Sequence, residues 1–381
     1  MQYFITIVLG IVGLANKRSK FIFACLILWI WILYAFNLNN ADSYYYEKFY
    51  YRYGDLSIWT KNIEIGYQLI CKFCNFIGLD YRGYLIFISL LGLGLIGYTI
   101  TKLSKNYNFV ITLYMFYPFM LNVVQQRNFL SMAFTIYGFQ FLFSETKKSY
   151  LYYIVCIIVA ASIHNFAIFY LLFIVVKILN VKKTIAFSIL SLVIISAVLL
   201  FPSILWGGIS YLVANDRLDL LAIHGSESNI NGLIYNGIEF LVRLLIVYII
   251  YHRSLSIEKE KYSQIKNKIL QNDAKEALPY TLRDFNLFEV VLKVNIITIL
   301  LFPLFNIAFE AHRAIGTVMI LNYIVFAEAL TRKIIFKNVS SKVLFEIMII
   351  GYVIFLFLTK IYIPFNDTVV KPIFEFNSLF T

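Results

Sequence analysis

Long apolar runs with at most one charged residue recur along the whole chain. They cover residues 21–36, 83–101, 107–126, 184–214, 294–309 and 343–359. A helix needs about 20 mostly apolar residues to cross a bilayer, and fewer where it is packed among neighbouring helices. The pattern therefore predicts an all-α, polytopic integral membrane protein.

The composition supports this class. Of the 381 residues, 61% are hydrophobic and 14% are charged, and the mean hydropathy is +0.77, whereas soluble domains carry roughly 25% charged residues. A net charge of +12 would suggest nucleic-acid binding in a soluble protein. In a chain of this hydropathy we expect no nucleic-acid partner, and the charge has a different meaning.

Most of the 33 Lys and Arg residues lie in short segments between the apolar runs, at 16–20, 101–105, 144–149, 177–183, 252–284 and 332–342. Short basic loops stay on the cytoplasmic side of a membrane. Each interval between successive segments has room for one helical hairpin. The pattern predicts about twelve spans in a single transmembrane domain over 1–381, with outer loops at 37–82, 202–235 and 361–381 and a charged cytoplasmic loop at 253–285.

The segment 149–176 contains one histidine, His164, and no Asp, Glu, Lys or Arg. One long helix would put Lys148 and Lys183 on opposite sides of the membrane. Two short helices, at about 149–162 and 166–180, would keep both on the cytoplasmic side and put His164 at an outward-facing turn. We favour the two short helices, and a single tilted helix is the alternative.

Other ionisable residues fall on the same predicted outer side. An arginine at the centre of a span costs roughly 2.5–3.5 kcal/mol, so each one needs an explanation. Taken singly, Arg127 and Arg313 could extend to lipid headgroups, Arg243 could pair with Glu239, and His164 could be a hydrogen-bonded turn residue. Because arginine binds phosphate oxygens in a bidentate manner, the whole set indicates an outward-facing anion site. Its members are Asp42, Glu64, Arg127, His164, Arg217, Arg243, Glu310, His312 and Arg313.

Aromatic residues are dense between positions 44 and 53, where the chain reads YYYEKFYYRY. A surface amphipathic helix is the interpretation that we prefer. Stacking of a sugar on an aromatic side chain such as Tyr45 is the alternative.

Several chemical motifs are missing from the sequence. It has no P-loop, no G-x-G-x-x-G after a strand, no G-x-S-x-G and no D-x-D. Cys71 and Cys74 form a lone C-x-x-C without a second pair of ligands, so we do not expect zinc. We expect no cofactor and no metal.

Four segments carry a resemblance to a known family: IEIGYQLI, QQRNFLSMAFTIYGFQFL, ASIHNFAIFYLLF and FEAHRAIGTVMILNY. In this order and spacing, over about residues 40–365, the chain resembles the EpsG family of Wzy-type polysaccharide polymerases. It departs from the family pattern at Ile65, where Pro is frequent, and at Ser131, where Ala is frequent. The resemblance implies a bacterial inner-membrane glycosyltransferase of the GT-C type, with its active site facing outward.

What the resemblance implies about chemistry agrees with the predicted anion site. Such enzymes join oligosaccharide repeat units carried on undecaprenyl diphosphate into O-antigen, capsule or exopolysaccharide. Donor and acceptor are both lipid-linked, and a flippase and a chain-length regulator are possible partners in the same membrane. Without a metal motif, arginines would stabilise the leaving diphosphate. By position, Arg127, Arg313 and His164 match family residues.

We assign roles on this basis. An imidazole can accept a proton at neutral pH without special tuning, so His164 is the favoured base or acceptor-orienting group. Glu310 would hold Arg313 one helical turn away, and Asp42 and Glu64 would bind acceptor hydroxyls. The substrate-binding candidates are Arg243, Arg217, His312, Tyr45 and Gln126.

Three other functions remain open at this point. A lipid-linked oligosaccharide flippase or other transporter would also have many spans, but should show internal symmetry and a site near the membrane midplane. A ligase that moves finished glycan to another acceptor uses the same chemistry as a polymerase. A non-enzymatic scaffold fits least, because so many ionisable groups at the membrane are costly.

Overall fold

The fold is helical, as the apolar pattern predicts. The computed structural model describes residues 1–61, 63–144, 146–200, 230–270, 282–305, 310–331, 336 and 338–380. Over these residues the chain forms helices and one isolated antiparallel β-bridge between Asn37 and Asn377.

The helices up to the first long gap are α1 Gln2–Ala15, α2 Lys20–Ala35, α3 Ser43–Gly54, α4 Ile65–Phe76, α5 Tyr81–Leu103, α6 Tyr107–Phe116, α7 Phe119–Val124, α8 Gln126–Phe139, α9 Lys147–Ile163 and α10 Val181–Leu200. After the gap come α11 Ile230–Leu270, α12 Leu282–Ile297, α13 Glu310–Thr331 and α14 Val339–Phe357. Short 3-10 helices cover Gln140–Phe143, Asn165–Lys177 and Thr298–Leu304. Further helical turns, two of them π-helical, continue from Leu358 to Glu375.

Within the described part of the chain, five helical segments are long and apolar enough to cross a membrane: Tyr81–Leu103, Ile234–Ser256, Leu287–Leu304, Ala311–Thr331 and Val339–Glu375. Four shorter helices are also apolar: Gln2–Ala15, Lys20–Ala35, Tyr107–Phe116 and Asn165–Lys177. These helices fit a multi-pass membrane protein. The predicted count of about twelve spans is not confirmed.

The chain divides into two compact units, and each is described by itself. Unit 1 holds Met1–Leu171, Met319–Thr331 and Asn338–Thr381, and unit 2 holds Leu172–Val318 and Arg332–Lys337. The expected single transmembrane domain stays a prediction.

Unit 1 collects several of its basic segments at one end, which we call the basic end. There Arg18 Nε donates to Asn106 Oδ1 at 3.2 Å, and Ser104 Oγ donates to Glu328 Oε1 at 2.8 Å. Lys17 Nζ lies 2.6 Å from Glu346 Oε1. The loops that follow α1 and α5 therefore meet the end of α13 and the start of α14.

The opposite end of unit 1 is marked by the start of α5, which is about 35 Å away because a helix of 23 residues rises 1.5 Å per residue. Gln126 Nε2 donates to the Tyr81 hydroxyl there at 2.7 Å. Arg82 Nη1 donates to the Ala35 carbonyl at 2.7 Å, which brings the end of α2 to the same level. Glu64, Arg127 and His164 belong to this end, and their contacts are described below.

The C-terminal segment, predicted as an outer loop, contains helical turns over residues 361–375. Its apolar side chains Ile361, Val370 and Ile373 are buried in unit 1, and its side of the membrane stays a prediction. Beyond them, Leu38 N donates to the Phe376 carbonyl at 2.8 Å. Hydrogen bonds thus tie the end of the chain to the residues that follow α2.

The segment around His164 forms a helical hairpin. α9 ends at Ile163, His164 is extended with φ −147° and ψ 112°, and a 3-10 helix begins at Asn165. The Tyr153 hydroxyl donates to the Tyr170 carbonyl at 2.6 Å. Two residues so far on either side of His164 can meet only if the chain reverses there. The predicted break is confirmed, the alternative of one continuous helix is wrong, and the second arm is 3-10 rather than α-helical.

Candidate functional site

A buried carboxylate joins three segments at the end of unit 1 opposite the basic end. Arg127 Nη1 donates to Glu64 Oε2 at 2.7 Å, and the Asn165 backbone N–H donates to Glu64 Oε1 at 3.2 Å. His164 Nδ1 lies 3.8 Å from the same Oε1 atom. We call Glu64, Arg127, His164 and Asn165 the Glu64 cluster.

Each member stands at a helix end. Glu64 directly precedes α4, Arg127 is the second residue of α8, and His164 directly follows α9. The approach of α4 to the hairpin depends on Gly66. A Cβ atom at this position would lie 2.3 Å from Ser162 Oγ and 2.7 Å from the Ser162 carbonyl oxygen.

Burial makes the ion pair necessary. The Glu64 side chain is 2% exposed, and an isolated buried carboxylate would be strongly unfavourable. Arg127 is 20% exposed, and its guanidinium lies 5.7 Å from the centroid of the Tyr67 ring and interacts with the Tyr46 hydroxyl. Among the described residues, Arg127 Nε has no hydrogen-bond partner. Arg127 is therefore held by these contacts while a fifth of its side chain stays exposed, and its unpaired Nε is buried.

The loop before Glu64 is fastened to α4 by two buried side chains. Gln68 Nε2 donates to the carbonyls of Thr60 and Ile63 at 2.9 Å and 2.7 Å. Lys72 Nζ donates to the carbonyls of Asp55 and Ile58 and lies 4.5 Å from the centroid of the Trp59 ring. These contacts position the backbone of Glu64 from both sides.

A turn in this loop carries an exposed carboxylate. The Ser57 hydroxyl and backbone N–H both donate to Asp55 Oδ1, at 2.7 Å and 2.8 Å. Because these hydrogen bonds favour the charged form, they lower the pKa of Asp55.

The region around residue 45 is an amphipathic helix, which confirms the preferred interpretation. α3 buries Tyr46, Tyr50 and Tyr53, which recur at helical spacing, and exposes the tyrosines at 44, 45 and 51. Tyr45 is 60% exposed, and Asp42 is half-buried directly before α3. Their roles in binding an acceptor stay predictions.

Gln126, a predicted substrate-binding residue, is buried beside Arg127 and donates to the Tyr81 hydroxyl. Ser131, which departs from the family pattern, donates from Oγ to the Ala160 carbonyl at 2.9 Å. The same carbonyl accepts the backbone N–H of His164 at 2.9 Å. Ser131 therefore helps to fix the end of α9.

Unit 2 contains the remaining described candidates. Arg243 is completely buried in α11, where Nη2 donates to Thr298 Oγ1 at 3.2 Å and Nε lies 3.8 Å from Glu239 Oε1. This arrangement supports the structural alternative for Arg243, an ion pair within one helix. His312 stacks on Phe305 with ring centroids 4.6 Å apart, and Arg313 is half-buried in the first turn of α13.

Two candidates lie outside the described side chains. Arg217 falls in the segment between α10 and α11, and the Glu310 side chain is not described although its backbone begins α13. The expected pairing of Glu310 with Arg313 stays a prediction. In the part of the chain that the structure describes, no three His, Cys, Asp or Glu residues group as metal ligands would.

Sequence reasoning missed Gln68, Lys72, Tyr81 and Asn165. Gln68 follows Glu64 by four residues in IEIGYQLI, so helical spacing could have placed it on the same face. Asn165 contributes its backbone N–H, and no side-chain pattern indicates such a contact.

Comparison with known proteins agrees with the motifs. The family model described as EpsG family matches residues 20–374. The comparison with curated proteins finds no match, and the comparison with solved structures finds none. The matched range includes the four motif segments and the whole Glu64 cluster. The chain belongs to the EpsG family, the family of Wzy-type polysaccharide polymerases.

Proposed function

We propose that the protein polymerises oligosaccharide repeat units, carried on undecaprenyl diphosphate, into O-antigen, capsule or exopolysaccharide. The observation that carries this proposal is the Glu64 cluster. A carboxylate holds an arginine and faces a histidine at one end of a helical unit, and family membership supplies the class of reaction. The reaction joins a glycosyl donor to an acceptor hydroxyl.

The chemistry requires a cation and a base. A sugar hydroxyl attacks the anomeric carbon of the donor, the bond from that carbon to the diphosphate oxygen breaks, and a base takes the hydroxyl proton. Negative charge grows on the departing lipid diphosphate, so fixed guanidinium donors lower the barrier. Arg127 serves this role in the proposal, and the resemblance to the family implies Arg313 as a further donor.

Glu64 acts as a positioning residue in this scheme. Its buried carboxylate oxygens already face Arg127, Asn165 and His164, which leaves little room for the acceptor hydroxyl that the sequence suggested. A carboxylate beside Nδ1 favours the tautomer with its proton on that atom, so Nε2 is the ring nitrogen that can accept a proton. His164 is the proposed base, and Asp42 is the remaining carboxylate for an acceptor hydroxyl.

The proposed location rests on the distribution of charge. Within unit 1 the Glu64 cluster lies at the end opposite the basic segments, and basic loops stay in the cytoplasm. We therefore propose that the cluster faces outward from the bacterial inner membrane, in a GT-C-type protein of about twelve spans. Lipid-linked donor and acceptor are its substrates, and a flippase and a chain-length regulator are proposed partners.

The test of the base uses purified protein and lipid-linked substrate. His164→Ala should still bind the donor but extend it about 10²–10⁴-fold more slowly, as expected for loss of a general base. The wild-type rate should fall as the pH drops, because an imidazolium cannot accept a proton, and this acid limb should be absent in the variant. A variant that keeps both the rate and the acid limb would make Asp42 the next candidate.

The positioning role of Glu64 has its own readout. In Glu64→Gln the acid limb should move to lower pH, because the imidazolium loses its neighbouring negative charge. A merely structural role would reduce the amount of folded protein and leave the pH profile in place.

The glycan profile of a deletion strain separates the alternatives. Loss of a polymerase leaves one repeat unit on the lipid, and loss of a ligase leaves finished polymer on its carrier. Loss of a flippase leaves no units facing outward.

A further inference from the structure

A second charged site lies at the basic end of unit 1, on the far side from the Glu64 cluster. It is a cavity of about 450 Å³ lined by Ala15, Asn16, Lys17, Arg18, Ser19, Asn106, Leu330, Thr331 and Lys342. Three of these residues are cationic and none is acidic. We call it the basic pocket.

The charges in the basic pocket are only partly compensated. Lys17 is paired with Glu346 at 2.6 Å. Arg18 uses Nε to bind Asn106, and this contact fixes the guanidinium beside the cavity. In the part of the chain that the structure describes, the Lys342 ammonium has no hydrogen-bond or ion-pair partner.

The positive potential of the pocket comes from its side chains. α2 begins directly after Ser19 and α6 directly after Asn106, but α1 ends at Ala15 and α13 ends at Thr331, so helix ends of both signs line the cavity. The partial charges of these ends oppose one another, and Lys17, Arg18 and Lys342 supply the cationic groups.

The surroundings of the cavity fit a lipid. Phe21 follows Arg18 by three residues at the start of α2, and Leu344 follows Lys342 by two residues in α14; these apolar side chains are 77% and 69% exposed. Cationic side chains at helix ends, followed along the chain by exposed apolar side chains, match an amphiphile that enters from the bilayer. A soluble anion would use the cations but not these apolar side chains.

We propose that the basic pocket binds the phosphate headgroup of an anionic phospholipid such as phosphatidylglycerol, from the leaflet on the side of the basic segments. Basic pockets between helix ends commonly bind such headgroups. This site is separate from the Glu64 cluster, so the proposal stands or falls independently of the polymerase reaction.

The experiment measures lipid binding to the purified full chain. Wild-type protein and the Arg18→Gln/Lys342→Gln variant are placed in nanodiscs of phosphatidylcholine with increasing phosphatidylglycerol, and lipids retained after release are counted by native mass spectrometry. The wild type should retain phosphatidylglycerol about tenfold more tightly than phosphatidylcholine, because three cations each attract the headgroup. The double variant should lose most of this preference.

The matched control is Lys20→Gln, which is compared with the single variant Lys342→Gln because each removes one positive charge. Lys20 is exposed beside the pocket but does not line it. Lys20→Gln should keep the wild-type preference for phosphatidylglycerol. An equal loss of this preference in Lys20→Gln would show that general surface charge attracts the lipid and would overturn the proposal. Lys342→Arg, which keeps the positive charge, should also keep the preference for phosphatidylglycerol.

A second arm separates lipid from soluble phosphate. Glycerol 3-phosphate at millimolar concentration should not displace the retained lipid, because it lacks the acyl chains. Complete displacement would show that the pocket takes soluble phosphate and would overturn the assignment to a phospholipid. The proposal is supported if the Arg18→Gln/Lys342→Gln variant loses the preference for phosphatidylglycerol while its elution in size-exclusion chromatography and its unfolding temperature match those of the wild type.

Discussion

At the scale of single residues, Arg127 is the most informative side chain. It satisfies a buried carboxylate, lies over the Tyr67 ring and keeps part of its surface open. A planar guanidinium can do all of this at once, because its five N–H groups point in fixed directions and its face stacks on an aromatic ring. A lysine ammonium is a point charge and cannot hold Glu64 and a phosphate oxygen with the same geometry.

We predict that Arg127→Lys and Arg313→Lys each reduce polymer formation about 10²–10³-fold, the usual effect of removing one donor to a developing negative charge. Polymer is measured by gel electrophoresis of surface glycan at matched protein levels. Arg18→Lys, at the opposite end of unit 1, is the control and should leave polymer unchanged. Full activity of Arg127→Lys would reduce Arg127 to a structural or headgroup contact.

Arg127→Ala is a less specific variant. It leaves Glu64 buried and unpaired, which costs about 3–5 kcal/mol of folding free energy. Its effect on polymer would therefore combine lost catalysis with lost folded protein. In a Glu64→Gln/Arg127→Gln double variant no buried charge is left unpaired, so a loss of polymer at wild-type protein levels reports lost catalysis.

At the scale of elements, the site depends on how closely α4 approaches the hairpin at His164. Glu64 can reach Asn165 and Arg127 only because residue 66 has no side chain where α4 meets Ser162. The two clashing atoms differ in kind, since one is a hydroxyl and the other is a backbone carbonyl oxygen. The hydroxyl can be removed by mutation, and the carbonyl cannot.

We predict that Gly66→Ala shifts α4 and weakens the contacts of Glu64, with a loss of about 1–3 kcal/mol in stability, as is typical of overpacking. Polymer should fall below the wild-type level, because Glu64 no longer holds Arg127 in place. Gly94→Ala is the matched control, because a Cβ atom at this helical position meets nothing within 4 Å. It should preserve activity.

A second-site variant tests the cause. Ser162→Ala removes the hydroxyl 2.3 Å from the new Cβ atom but leaves the carbonyl at 2.7 Å, so it should rescue Gly66→Ala only in part. Wild-type polymer in the single Gly66→Ala variant would contradict the tight approach of the two elements.

At the scale of the whole molecule, the number of membrane crossings decides which side of the membrane the Glu64 cluster faces. Length and hydropathy identify five helical segments among the described residues, and several shorter apolar helices accompany them. Short spans can be tolerated where longer neighbours cover them, so the count depends on sidedness rather than on length alone.

We predict that cysteines placed at Lys148, Lys183 and Gln264 are shielded from an impermeant thiol reagent in intact cells, whereas one at Ser228 reacts. This outcome follows if basic segments stay inside and the chain reverses at His164. Permeabilised cells are the control, since all four positions should then react. Labelling of position 183 but not of position 148 would show that the chain crosses once between them and would remove His164 from the outer face.

Four features could be predicted from the sequence: the membrane class, the family, an amphipathic helix around residues 44–53 and a break in the chain at His164. Composition, helical periodicity and the spacing of charges are properties of the linear chain, so they can be seen without knowing how the helices pack. The sequence also selected Arg127, His164 and Glu64 as candidates, because ionisable residues beside apolar runs need a reason to be there.

What these residues touch depends on how the helices pack in three dimensions. It paired Glu64 with Arg127 and with the backbone of Asn165, brought Gly66 against Ser162, and assembled the basic pocket from Arg18, Asn106, Thr331 and Lys342. No pattern in one segment specifies such contacts, because they depend on which helix ends meet after packing. Burial of the apolar helix faces determines how the helices pack. Polar side chains at the helix ends then form hydrogen bonds and ion pairs with the groups that this packing brings close to them, because a buried polar group without a partner is unfavourable.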